Sequence, residues 1–270
     1  MNDQRPVGDL LREWRQRRRL SQLGLALDAE VSAKHLSFVE TGRAQPSREM
    51  VLRLAERLDV PLRERNTLLL AAGFAPLYRE RPLVDKALEG ARHAIDRLLV
   101  AHEPYPALAV DRRWNLVMAN RLVAPLMAGA AAHLITPPIN VLRLSLHPQG
   151  LAPRIVNHAQ WRAHLLQRLQ RQVDASSDPE LAALLDELRG YERRGSGPDV
   201  DDEFEVNGVV VPLQLAIEGG VFSFFSTTTI FGSPVDVTLA ELAIESFFPA
   251  DAATKRALEQ LAATVVRSAS

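Results

Sequence analysis

The chain has 270 residues, enough for one large domain or two small ones, and its apolar content of 47% is ordinary for a globular protein. It has no cysteine, which excludes disulfides and cysteine-ligated metals. It has no apolar run of the roughly 18 residues a membrane span needs, and no signal-peptide-like stretch opens it. A soluble cytoplasmic protein is therefore expected.

The net charge of −1 is unevenly distributed. Residues 1–82 carry 15 Arg/Lys against 11 Asp/Glu, a net of +4, and the remainder carries 17 against 22, a net of −5. A polyanion would meet the N-terminal part more favourably.

Five helices are predicted first. Val7 to about Arg18 has Leu10, Leu11 and Trp14 on its apolar side. Arg15, Arg17, Arg18 and Arg19 at its end suit either a solvated helix terminus or phosphate contact. Ser21 to Arg43 reads as two short helices joined by a tight turn at Ala29-Glu30-Val31. Ser21 caps the first, whose buried side is expected to be Leu23, Ala26 and Leu27. Ser32 caps the second, where Leu36 and Val39 point inward and Ala33, Lys34, Ser37 and Phe38 outward, and Gly42 ends it. Ser47 caps a fourth helix with a stripe of Met50, Val51, Leu54, Ala55 and Leu58, and Leu62 to Ala72, closed by Gly73, is the fifth.

A connector with Pro76 and Pro82 leads to a helix predicted over Leu83 to Ala101. Pro104-Tyr105-Pro106 breaks it, and Ala107–Val110 with Leu116–Ala119 reads as a hairpin. Helices are expected from Asn120 to Met127, Asn140 to Leu146, Gln160 to Val173 and Pro179 to Gly190, then a polar loop from Arg193 to Glu203. Val209–Ile217, Val221–Ile230 and Val237–Ser246 have strand composition, with Gly219-Gly220 turning between the first two, and Ala252 to about Val266 closes as a helix. The pattern predicts an all-α N-terminal domain and an α+β domain whose antiparallel sheet carries helices on a face.

Ser21-Gln22, Ala26, Val31-Ser32, Leu36, Val39-Glu40 and Gly42-Arg43 resemble the lambda-repressor-like (XRE) helix-turn-helix, although many such domains have Gly in the turn where this chain has Ala29 or Glu30. A longer series of segments resembles regulators with a C-terminal MmyB-like, PAS-like ligand-binding domain. It includes Glu103-Pro104-Tyr105-Pro106, Trp114-Asn115, Asn140 through Pro148, Trp161-Arg162 and Glu245 through Asp251. The resemblance implies domains at 1–75 and 103–270 joined by a connector and linking helix at 76–102. It also implies a bacterial transcription regulator, with a small apolar ligand, such as a fatty acid, in the second domain.

A helix fits the major groove, so outward side chains read bases while flanking groups hold phosphates. Lys34 suits guanine, Ser37 either role, and Ala33 and Phe38 a thymine methyl. His35 suits a base or phosphate, Gln22 a phosphate or the bracing of the recognition helix, and Arg43 the backbone. Ser32 completes the set at the helix start. A homodimer on a two-fold double-stranded operator is expected.

Large apolar side chains of the late strands, among them Phe222, Phe224 and Phe231, suit a pocket or a plain core, with Trp114 added by the resemblance. Asn120, Arg121 and Arg143 are candidates for an anionic ligand head. No catalytic residue, metal site or cofactor is expected, since no phosphate loop, nucleophile elbow or zinc-helix motif occurs and the seven histidines are scattered. The remaining alternative is a DNA-binding scaffold or antitoxin-like protein without a small ligand.

Overall fold

The structure is a computed structural model that describes residues 5–176, 178–191, 211–217, 220–232 and 234–268. The predicted loop at 193–203 lies outside them. The chain forms two compact units, Met1–Pro82 with Ser233–Ala240, and Leu83–Gly232 with Glu241–Ser270. Among the described residues no helix is long and apolar enough to cross a membrane.

The first unit holds α1 (Val7–Arg17), α2 (Gln22–Asp28), α3 (Ala33–Glu40), α4 (Arg48–Arg57) and α5 (Leu62–Ala71). Ser21, Ser32 and Ser47 cap α2, α3 and α4 by accepting the N–H of Gly24, His35 and Met50. All five helices end alike. The next-to-following residue has positive φ (Arg19, Glu30, Gly42, Asp59 and Gly73), and the N–H after it returns to a carbonyl five residues back. These are Schellman ends.

The α2 stripe differs from expectation. Leu25, Ala26 and Ala29 are buried, whereas Leu23 and Leu27 are 61% and 70% exposed. Gln22, Leu25, Ala26 and Ala29 share the inner side of this seven-residue helix, and a polar residue at its head disguises that side. At Gly8 a Cβ would stand 2.3 Å from the Val39 carbonyl oxygen, so α1 meets the backbone of α3 directly.

In the second unit, α6 (Glu89–Ala101) follows a single turn at Lys86–Leu88, so the linking helix starts later than predicted. Asp85 stops it there by accepting the Ala87 N–H. Then come β1 (Ala107–Val110), β2 (Leu116–Ala119), α7 (Val123–Met127), α8 (Val141–Leu146), α9 (His158–Ser176), α10 (Pro179–Arg189), β3 (Leu213–Ile217) and β4 (Gly220–Ile230). The stretch predicted as a strand from Val237 divides into α11 (Val237–Ala240), which packs with α5 in the first unit, and β5 (Ala243–Pro249). Asp236 accepts the Thr238 N–H and nucleates that helical turn. The chain closes with α12 (Ala252–Ser268).

The five strands form one sheet in the order β2-β1-β5-β4-β3, every pair antiparallel. Its two faces carry different cores. Ala107, Ala109 and Ile244 pack with Ile95 and Leu99 of α6. Leu108 and Val110 join a larger cluster with Leu142, Trp161, Leu165, Leu184 and Leu258. Helices thus cover both faces, which is why all four residues of β1 are buried.

Candidate DNA-reading face and ligand cavity

On α3, Leu36 and Val39 are buried, while Lys34 and His35 are exposed and Ser37 and Phe38 half-buried. The Lys34 ammonium lies 5.7 Å from the Phe38 ring centroid. Ala33 is half-buried and packs against the helical core. Ser32 is engaged in its cap, and Arg43 is exposed just beyond Gly42.

Glu40 fixes the inner side of this helix, and it is 1% exposed. Arg15 reaches its two carboxylate oxygens through Nε and Nη2, each at 2.7 Å, and Gln22 donates through Nε2 at 2.8 Å. Arg12 stands 3.7 Å away and also donates to the Glu40 carbonyl at 2.9 Å. Burial opposes the charge on Glu40, but the hydrogen bonds from Arg15 and Gln22 and the charges of Arg15 and Arg12 outweigh it and hold the carboxyl below its usual range.

Gln22 is therefore engaged in bracing α3. The arginine run is largely spent inside the fold. Arg15 serves Glu40, Arg17 pairs with Glu13, and Arg18 donates to the carbonyls of Leu58 and Asp59. Arg19 alone of the four is exposed. A carboxylate next to Val39 on an otherwise apolar side, with arginines on a neighbouring helix, was the available sequence signal for Glu40.

In the second unit a cavity of about 110 Å³ opens between the sheet and the helices. Leu108, Leu213, Leu215, Phe224 and Phe247 form its sheet side. Val123, Leu126, Leu142, Trp161 and Leu165 come from α7, α8 and α9. Its polar side chains are Ser145, Arg168, Ser226 and Glu245. Ser145 accepts the Trp161 indole N–H at 3.0 Å. Arg168 binds Glu245 through Nη2 at 2.5 Å and Nη1 at 3.2 Å, and Thr228 through Nη2 at 2.8 Å.

Trp114 lies beneath this pair, its ring centroid 4.5 Å from the Arg168 guanidinium carbon. Its φ of 66° is unusual for so bulky a residue. The indole N–H donates to Gln172 Oε1 at 2.8 Å, and Gln172 donates back to the Arg112 carbonyl, which hold the turn in that conformation. Nearby, burial and the charges of Arg168 and Arg171 keep the His164 imidazole below its ordinary pKa, against the opposing charge of Glu245.

Of the pocket residues expected from sequence, Trp114 and Phe224 line the cavity. Phe222 packs in the same apolar cluster, its ring centroid 6.3 Å from that of Phe224, but outside the lining. Asn120 is buried and donates to the Leu99 and Tyr105 carbonyls. Arg121 pairs with Glu103. Arg143 pairs with Glu187 in a separate polar recess beside His133, His147 and Tyr191. Phe231 packs with the cluster that includes Ile95.

None of the four polar lining residues, Ser145, Arg168, Ser226 and Glu245, was among the pocket residues expected from sequence. The signals for Arg168 and Glu245 were a cation between Leu165 and Leu169 on a helix, and an acid two residues before Phe247 on a strand. Among the described residues no group of three side chains could hold a metal ion.

Two family models match the chain. One describes a helix-turn-helix domain and matches residues 6–68, and the other the MmyB-like transcription regulator ligand binding domain, at residues 91–261. No curated protein matches. Among solved structures, the chain is similar to an RNA-binding light-oxygen-voltage receptor at 14% identity and a TM-score of 0.27. That similarity spans 97% of this chain and 63% of the receptor chain, and at so low a score it carries no argument. The helix-turn-helix and the cavity-bearing sheet domain behind it are those of a transcription regulator, and the chain belongs to the MmyB-like family.

Proposed function

We propose that this protein binds a specific double-stranded DNA operator as a homodimer through α3, and that a small apolar ligand in the cavity of the second unit adjusts that binding. The observation that carries the DNA reading is the asymmetry of α3. Its inner side is locked by Leu36, Val39 and the Glu40 ion pair, and its outer side offers Lys34, His35, Ser37 and Phe38. A rigid helix with a free polar side suits direct reading of base edges. Arg43 supplies a backbone contact.

Lys34→Ala is expected to relax discrimination at one base pair by about 1–3 kcal/mol. Arg43→Ala is expected to weaken all sequences alike and to flatten the salt dependence. Competition binding against operator variants tests this division, and identical sequence profiles for the two variants would refute it. Sedimentation of the protein with and without operator tests the dimer.

The ligand reading rests on a cavity lined almost wholly by aliphatic and aromatic side chains. An acyl-chain amphiphile, the class to which a fatty acid belongs, suits that lining. A thermal-shift panel of such amphiphiles tests it: a ligand present at 100 times its Kd stabilises by about 2.7 kcal/mol. No shift with any member would favour a scaffold that needs no ligand.

A further inference from the structure

Resting on the ligand reading above, we propose that the cavity selects an amphiphile with an uncharged, hydrogen-bonding head, such as a fatty alcohol or a primary amide, and disfavours a free carboxylate. Among the described residues Arg168 is the one cation in the lining, and its charge is already matched. Its terminal nitrogens hold both oxygens of Glu245, at 2.5 and 3.2 Å, and one of them also reaches Thr228 at 2.8 Å. The Thr228 hydroxyl in turn donates to Glu245 at 3.0 Å. The face of the guanidinium is covered by Trp114.

Glu245 is 4% exposed and would stand beside any second carboxylate brought to Arg168. Two carboxylates sharing one cation in a desolvated site oppose each other's ionisation. An anionic head must therefore displace Glu245 and leave it buried without its partner, or enter protonated. Each route is unfavourable.

A neutral head meets neither obstacle. The Ser226 hydroxyl lines the same cavity and makes no side-chain hydrogen bond among the described residues. It can donate to or accept from an alcohol or amide. Glu245 can accept an O–H or N–H from the same head while keeping its pair with Arg168. Ser145, the remaining polar lining residue, is engaged with Trp161. The part of the lining at Arg168, Ser226 and Glu245 is thus where a head group would bind.

The test compares 1-decanol, decanamide and decanoate on the delipidated full-length protein by calorimetric titration at neutral pH, below the concentration at which each aggregates. The neutral compounds should bind at least about tenfold more tightly than decanoate, the order expected when a buried charge lacks a free partner. Glu245→Gln releases Arg168 and should raise decanoate affinity about tenfold or more. Ser226→Ala should weaken the alcohol and amide and leave decanoate unchanged.

Tighter binding of decanoate by the wild-type protein overturns the proposal, as does an unchanged order in folded Glu245→Gln. Failure of all three compounds to bind overturns the ligand reading and this inference together, whereas binding in the reversed order overturns the inference alone. The wild-type order decides the matter even where a variant does not fold.

Discussion

Glu40 is the point at which the stability of the first unit and the placement of α3 meet. In Glu40→Ala, Arg15, whose side chain is 11% exposed, loses its bidentate partner, Gln22 loses its acceptor, and Arg12 loses a nearby counter-charge while keeping its hydrogen bond to the residue 40 carbonyl. Removing one partner of a buried ion pair costs about 3–5 kcal/mol, because the other charge is left desolvated. Hydrogen exchange read by mass spectrometry resolves the first unit from the second, which bulk unfolding of a two-unit chain does not. At about 1.4 kcal/mol per tenfold, amides of α1 to α3 should exchange roughly 100- to 3,000-fold faster. Peptides from the second unit should be unchanged. The double variant Arg15→Met with Glu40→Leu removes both charges and should recover much of the loss.

The same carboxyl gives the first unit an acid limit. Its folded pKa is lowered, so its contribution is complete above the unfolded carboxylate value of about 4.3 and is lost as pH falls through the folded one. Glu40→Gln should therefore narrow the stability difference between neutral and acid pH. Protection of α3 in Glu40→Ala equal to that of the wild type would refute the reasoning, as would a double variant no more stable than the single one.

Three further substitutions test the packing. Glu30→Gly should stabilise the first unit by about 0.5–1 kcal/mol in thermal unfolding. A left-handed φ costs an L-residue roughly 1–2 kcal/mol, and glycine's extra unfolded-chain entropy returns about 0.5–1 of that. Leu25→Ala should cost about 2–5 kcal/mol and Leu27→Ala no more than about 0.5 in denaturant melts, since the first side chain is fully buried and the second is not. Gly8→Ala should destabilise by about 1–3 kcal/mol and weaken operator binding, despite alanine's gain of about 1 kcal/mol in helix propensity. The new Cβ would meet a backbone oxygen of α3 that no side-chain rotation can move.

What the sequence made legible and what it hid divide along the range of the interaction. Ser21, Ser32 and Ser47 cap within three residues, so each helix start could be placed from local chemistry. The antiparallel sheet followed from strand composition and the short turns between strands. Helix ends were half legible. Gly42 and Gly73 announce a left-handed residue, but Arg19, Glu30 and Asp59 hold the same conformation with no such mark. With no glycine in the α2–α3 turn, Glu30 takes the left-handed position.

Long-range pairing was the least legible. Arg15 and Glu40 are 25 residues apart, and Arg168 and Glu245 are 77 apart. In each pair the isolated charge resembles a solvated surface residue until the fold brings its partner to it. Charged residues are rarely buried unless paired, so an acid within an apolar stripe is itself a signal that an arginine lies opposite. That rule, applied to Glu40 beside Val39 and to Glu245 between Ile244 and Phe247, identifies the brace of α3 and the ion pair in the cavity lining. Both are places where a solvated charge would have left the apolar side of its own helix or strand unexplained.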